Sequence, residues 1–250
     1  AVHLIGKDIA RFHAVYWPAF LMSAGIELPR KVFAHGFLFN QGEKMSKSVG
    51  NVIDPHAMVE EYGLDQLRFF LLREVPFGQD GNYSHDAIAG RINSDLANDL
   101  GNLAQRSLSM IAKNLGGEVP EPGEFTAEDL AMLAQAGDVV AEYRSAFEAL
   151  AFHRGLESVW RVIASANRYF TAQEPWVLRK TDPERMATVL YVTAEVLRIV
   201  AVLVQPVMPG SMARLLEQLG QPEGEARMFS ALGTRLAPGT VLPKPSGVFP

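Results

Sequence analysis

The sequence contains no cysteine, which excludes disulfides, Cys-ligated metal and a thiol nucleophile, and removes any requirement for an oxidising compartment. It also lacks a basic excess: 23 Lys and Arg stand against 28 Asp and Glu, a net charge of −5. Coating nucleic acid by bulk electrostatics needs many cations to neutralise phosphates, so any nucleic-acid contact must be local. The N-terminal residues, Ala1 to Asp8, lack the basic, apolar and small-residue order of a signal peptide. Nor is there a long uninterrupted apolar run. The most apolar stretch, Val189 to Val204, carries Glu195 and Arg198 and is followed by Pro206 and Pro209, so it reads as a buried bundle helix, not a membrane span. The cytoplasm is the default location, and no membrane partner is expected.

The 250 residues, 48% of them hydrophobic, suffice for the core of one large domain or two small ones. Residues 1–60 hold six basic and five acidic residues, and the remaining 190 hold 17 and 23, so the later part is the more acidic. Short apolar runs, Val2 to Ile5 and Val32 to Phe39, alternate with helical patterns in the first part, as α/β architecture does. The run ending at Gly6 has no strand ahead of it to pair with, which suggests a truncated or cleaved product.

Beyond Ser84 the pattern is helical. Ser84 is an N-cap, and Ile88, Ile92, Leu96, Leu100, Leu103, Ile111 and Leu115 follow until Gly116 and Gly117 stop the run. A Pro/Gly/Glu linker spans Gly116 to Gly123, after which Thr126 with Asp129 forms a capping box. Phe152, Leu156, Val159, Ile163, Ala166 and Phe170 make a heptad-like stripe that Pro175 terminates. A helix from Pro183 to Gln205 and a short one from Ser211 to Gly220 complete four or five antiparallel helices, a bundle. There is no internal repeat, and Gly233 to Pro250 reads as extended surface chain.

The chemistry concentrates in Gly42-Glu43-Lys44-Met45-Ser46-Lys47-Ser48-Val49-Gly50-Asn51. Two lysines three residues apart sit among hydroxyls between glycines that let the backbone bend. An ammonium is a compact charge suited to phosphate, and donors already aimed at a leaving pyrophosphate stabilise its developing charge. A loop of this kind can close over ATP; an arbitrary Lys-x-x-Lys is more often a solvated basic turn.

This segment resembles the Lys-Met-Ser-Lys-Ser signature of class I aminoacyl-tRNA synthetases, matched over all five residues. The resemblance implies adenylation of an amino acid with ATP and Mg²⁺, with Lys44 and Lys47 catalytic and Lys47 the more important. Several members share the signature, so the choice falls to the rest of the chain. Gly6-Lys7-Asp8-Ile9, Phe12-His13 and Trp17-Pro18-Ala19 upstream are similar to the methionyl family. So are the runs Phe77 to Ser84 and Arg91 to Arg106, then Ala166-Asn167-Arg168-Tyr169, Pro175-Trp176 and Gln205 to Pro209. Nearly the whole chain is covered in the methionyl order. By resemblance Gly6 and Asp8 face the adenosine ribose, and His35, Gly36 and Leu38, with Lys44, Met45, Ser46, Lys47 and Ser48, contact ATP. His13 borders the methionine pocket. Without the family, Asp8 reads as a helix N-cap and His13 as an interior histidine.

The resemblance also places the anticodon site at Asn102, Arg106 and Trp176. At 100° per residue the first two project only about 40° apart and to the side of the core stripe; Trp176 follows Pro175, where the preceding helix must stop, so its indole belongs to a loop end and not to a core stripe. An aromatic plane, a guanidinium and an amide suit unstacked bases. A tryptophan capping the core beside a solvated polar pair is the alternative.

The expected fold is thus an α/β remnant of a class I Rossmann-type catalytic domain (1–54) and a stem-contact linker (55–84). A mainly α-helical anticodon-binding bundle (85–232) and an extended tail (233–250) follow, α-dominated overall. The expected partners are tRNA(Met) with anticodon CAU, methionine and ATP. The His-Ile-Gly-His-type partner element of class I sites occurs nowhere in the sequence, and the family's zinc insertion would lie upstream, so zinc is not inferable. The parent protein reads as a methionine–tRNA ligase, and this piece alone as inactive. A stand-alone tRNA-binding module and another class I ligase are the competing readings.

Overall fold

In the computed structural model, which describes residues 1–45 and 50–249, strand β1 (Val2–Gly6) is not unpaired. It lies parallel to β2 (Lys31–His35), in a register that sets Gly6 opposite His35. Parallel strands need a crossover; here it is a 3₁₀ turn (Lys7–Ile9), a π-wound turn (Phe12–Tyr16) and helix α1 (Trp17–Ser23). The apolar run of residues 32–39 is broken at Gly36. A second sheet begins at β3 (Leu38–Asn40), which pairs antiparallel with β4 (Glu43–Lys44) and parallel with β5 (Gly81–Tyr83). Gln41 and Gly42, both at positive φ (51° and 83°), make the β3–β4 hairpin turn, whose primed geometry matches strand twist.

Helices α2 (Pro55–Tyr62) and α3 (Leu64–Glu74) lead to the bundle. Arg68 donates from Nε to the Val207 carbonyl (2.8 Å) and from Nη2 to that of Pro206 (2.8 Å). Asp65 accepts from the Ser211 N–H in the first turn of α10 (Pro209–Gln218), where a carboxylate satisfies an orphan donor and opposes the helix dipole. These bonds fasten the linker to the bundle.

The long helical run expected after Ser84 is continuous but not uniform. Helix α4 (His85–Arg91), capped by the Ser84 side chain, passes into a π-wound stretch (Ile92–Gly101) and then α5 (Asn102–Asn114). Trp160 Nε1 donates to the Asp95 carbonyl (3.2 Å) and Asn167 Nδ2 to that of Asp99 (3.1 Å), so the π stretch is held through its own backbone against a single later helix, Phe152–Gln173. Helices α6 (Ala127–Glu148), opened by the Thr126/Asp129 capping box, and α7 (Phe152–Gln173) form a hairpin. The stripe at Leu156, Val159, Ile163, Ala166 and Phe170 is buried. Pro175 ends α7 and also starts a new seven-residue helix, α8 (Pro175–Thr181), because its fixed φ suits a first helical position. Trp176 therefore lies on a helix and not in a loop.

Helix α9 (Pro183–Val204) is buried at every position from Thr188 to Val204. By length and composition it could cross a membrane, but 94% of its apolar window is buried within the fold. Glu195 and Arg198 face each other in the core, with Arg198 Nη2 2.7 Å from Glu195 Oε1 and side chains 2% and 1% exposed. Arg198 also donates to the Ala231 carbonyl, and Glu195 accepts the Leu236 N–H. The C-terminal segment, expected as extended surface chain, is pinned to the fold: Leu236 and Val248 are buried, and Val119 and Gly117 exchange backbone bonds with Gly239, Thr240 and Leu242.

Removing one partner of a buried ion pair leaves the other charge uncompensated. Arg198→Ala is therefore expected to lower the unfolding free energy by roughly 3–5 kcal/mol in urea titration. A loss of about 1 kcal/mol or less, the range of a surface pair, would show that the pair is solvated.

Candidate functional site

The parallel register brings the ends of β1 and β2 together, so Gly6, Lys7 and Asp8 lie beside His35 and Gly36. A Cβ at Gly6 would sit 2.6 Å from Asp8 Oδ1; the missing side chain lets that carboxylate fold back over the strand end. Asp8 is exposed, lies inside the 3₁₀ turn and makes no cap bond, so it is not a helix N-cap. At Gly36 a Cβ would meet the backbone of Gln79 and Asp80 at 2.2–2.5 Å, so only glycine allows this crossing. His35 Nδ1 lies 2.9 Å from the Gly36 oxygen, a donor position.

A group that local spacing does not reveal ties these pieces together. Lys7 Nζ donates to both Asp80 oxygens (2.6 and 2.7 Å), and Asp80 Oδ1 accepts the Phe37 N–H (2.8 Å). The Lys7 and Lys44 ammoniums each lie 4.9 Å from the centroid of the Phe37 ring, within cation–π range. Strand end, hairpin and the residue before β5 are thus one unit. Leu38 begins the hairpin opposite Gly81. Asn40 donates to the Asn51 carbonyl and Asn51 Nδ2 to that of Lys44, closing the base of the loop. Met45 is half-buried; Ser46, Lys47 and Ser48 lie outside the described residues.

His13, in the π-wound turn, is half-buried, and its Nδ1 lies 3.1 Å from the Ile9 carbonyl oxygen. It lines an open apolar cavity of about 770 Å³ with Leu4, Phe12, Tyr16, Trp17 and Phe20.

At the other end, the structure joins two of the three predicted anticodon residues. The Arg106 guanidinium lies 4.9 Å from the Phe170 ring and 5.5 Å from the Trp176 ring, and the two rings are 6.2 Å apart. Trp176 is 40% exposed. Asn102 stands exposed one turn before Arg106 on the same helix. Phe170, read from sequence only as core, supplies the floor of this platform.

The Lys7 ammonium, then the Phe37 N–H, hold the Asp80 carboxyl below its ordinary value of 3.8. A depressed carboxylate stabilises the fold above its unfolded pKa, and that contribution is lost as pH falls through the folded value. The clamp is therefore complete at neutral pH. Carbon-detected NMR titration of the Asp80 side chain should give a pKa below the usual aspartate range, and Lys7→Met should raise it part of the way. An unchanged titration in Lys7→Met would mean that Lys7 is not the partner.

The described geometry has counterparts. A family profile for class I tRNA synthetases (M) matches residues 1–108, and one for the anticodon-binding domain of methionyl tRNA ligase matches residues 119–250. The methionine–tRNA ligases of Mycobacterium leprae and Brucella melitensis are 62% and 64% identical over 100% and 99% of this chain, which covers 47% and 48% of theirs. The Mycobacterium tuberculosis methionyl-tRNA synthetase in complex with methionyl-adenylate superposes with a TM-score of 0.97 at 63% identity, over 100% of this chain and 50% of that one. Its apo form gives 0.93 at 59% identity. The chain spans about half the length of the curated relatives it matches. With one profile covering more than half of it, and relatives above 60% identity aligned along essentially its entire length, the chain belongs to the methionyl-tRNA ligase family of class I aminoacyl-tRNA synthetases.

Proposed function

We propose that this chain carries the ATP-closing loop and the anticodon-reading bundle of a cytoplasmic methionine–tRNA ligase. The observation that carries the reading is the cation-on-ring platform of Arg106, Phe170 and Trp176, in a chain whose other end clamps a lysine loop to a strand-end site. The divisions are 1–54 (catalytic part), 55–84 (stem-contact linker), 85–232 (anticodon-binding bundle) and 233–250 (tail). The reaction joins the methionine carboxylate to the α-phosphorus of ATP with loss of pyrophosphate. A terminal ribose hydroxyl of tRNA(Met) then attacks the acyl carbon and releases AMP.

In this reading Gly6 and Asp8 receive the ribose, Asp8 accepting from its hydroxyls. His35, Gly36 and Leu38 line the nucleotide site, and Lys44, Met45, Ser46, Lys47 and Ser48 close on the phosphates, whose partner ion is Mg²⁺. His13 and the apolar cavity beside it take the methionine side chain. Asn102, Arg106 and Trp176 read CAU, the indole by stacking and the amide and guanidinium at base edges. The chain alone, half the length of its relatives, does not complete the reaction.

In the full-length enzyme, Lys47→Ala is expected to slow methionyl-adenylate formation roughly 10²–10³-fold, the cost of removing a preorganised donor to developing charge, and Lys44→Ala less. Single-turnover activation that stays at the wild-type rate would remove the loop role. For the bundle, Trp176→Ala should weaken binding of a CAU anticodon stem-loop by about 1–3 kcal/mol, the worth of one stacked base. Equal wild-type affinity for CAU and for a loop altered at its first anticodon base would overturn the reading.

A further inference from the structure

Helix α8, which bears Trp176, has only seven residues and is too short to hold its own direction. Glu174 precedes it at φ 44°, in the left-handed region, so the aim of the indole depends on what fixes the two ends of α8. One residue does both. The Arg185 guanidinium donates from Nη2 to Gln173 Oε1 (2.6 Å), directly before the kink, and the Arg185 backbone N–H donates to Asp182 Oδ1 (3.0 Å), directly after the helix.

The guanidinium is itself oriented. Asp129, with a fully buried side chain, takes Nη1 and Nη2 of Arg185 on its two oxygens, and the Tyr169 hydroxyl donates to the same carboxylate. Asp129 Oδ2 also accepts the Thr126 N–H at the start of α6. Tyr169 is the neighbour of Phe170, whose ring carries Arg106 and touches Trp176. Burial, then the Asp129 contact, raise the Tyr169 pKa, so the phenol remains a donor. Desolvation alone would push the Asp129 carboxyl up, but the bonds from Arg185 and Tyr169 outweigh it and hold it low. A planar guanidinium fork presents its donors to a carboxylate and a further acceptor in one fixed geometry, whereas an ammonium's donors radiate from a single nitrogen on a flexible stem.

We propose that Arg185, oriented by Asp129 and Tyr169 and acting through Gln173, is a positioning residue that sets the angle of Trp176 for stacking an unpaired base. It touches no nucleotide, and it makes the affinity of the platform depend on a buried ion pair one helix away. The proposal rests on the anticodon reading above, and the experiment separates the two.

The full chain labelled with 5-fluorotryptophan gives three ¹⁹F resonances, from Trp17, Trp160 and Trp176, the last identified by its loss in Trp176→Phe. Gln173→Leu removes the acceptor, whereas Gln173→Glu retains it. Expected for Gln173→Leu are a shifted or broadened Trp176 resonance, unchanged Trp17 and Trp160 resonances, and roughly five- to tenfold weaker binding of a CAU stem-loop RNA, less than full loss of a stacking ring. Gln173→Glu restores both. Arg185→Lys should behave as Gln173→Leu does, and since Gln173 is only partly buried, its variants keep the test open if the Arg185 variant does not fold. A lower melting temperature with the Trp176 resonance and RNA affinity unmoved would reduce the network to a structural role and overturn the proposal. If Trp176→Ala binds the stem-loop as wild type does, the anticodon reading falls instead, and with it the stacking purpose of the network.

Discussion

A helix apolar on every face must be surrounded, and α9 imposes that constraint on the rest of the bundle. From Thr188 to Val204 no residue is left to solvent, so α5, α6, α7, α8 and α10 all pack against it. The two charged residues in this stretch do not relieve the constraint. They sit within a turn of each other, neutralise one another, and use their remaining capacity on backbone groups of the C-terminal segment. Desolvating two charges is costly unless each donor and acceptor is satisfied. The segment after α10 is accordingly drawn onto the bundle, and its path is set from the core outward.

The π-wound stretch has a comparable effect on the candidate anticodon end. An i→i+5 winding rotates everything beyond it relative to a regular helix, so the directions of Asn102 and Arg106 cannot be extrapolated from Ile88 and Ile92 at 100° per residue. The extrapolation nevertheless put both beside the core stripe, because Leu103 shares the frame of α5 and Leu100 lies in the last turn of the π stretch. Asn102 is exposed, and Arg106 is half-buried by the ring it rests on.

What was legible in the sequence was local. Ser84, Thr126 with Asp129, and Pro183 marked helix starts because caps act within three residues of the donors they satisfy. The stripe on α7 was legible because one face is buried along its length. The pairing of β1 was not, because its partner lies beyond a crossover. Pro175 was read as a stop and not also as a start, since proline signals both. The Lys7 to Asp80 contact joins residues 73 apart and carries no periodic trace. Asp129 was read as half of a capping box; that it also binds Arg185 and Tyr169 follows only from three helices meeting. The two loop lysines stand out in the sequence as candidates for phosphate chemistry by type and spacing between glycines; of the two, Lys44 lies among the described residues and rests on Phe37.

The cations of the fold are held in two ways. Lys7, Arg185 and Arg198 are spent on carboxylates. Lys44 and Arg106 rest on aromatic rings, as Lys7 also does on Phe37, but among the described residues neither the Lys44 ammonium nor the Arg106 guanidinium makes a hydrogen bond or ion pair. A ring face orients a cation through its quadrupole without using an N–H, whereas a carboxylate consumes the donors and fixes the charge in a closed pair. In the proposed function of a chain of net charge −5 the difference matters, since bulk attraction to phosphate is weak and binding would rest on a few donors left unpaired. Replacing a ring contact by a new carboxylate would hold the cation as firmly and occupy its donors, so in the proposed function Phe37, Phe170 and Trp176 contribute by leaving those donors unpaired.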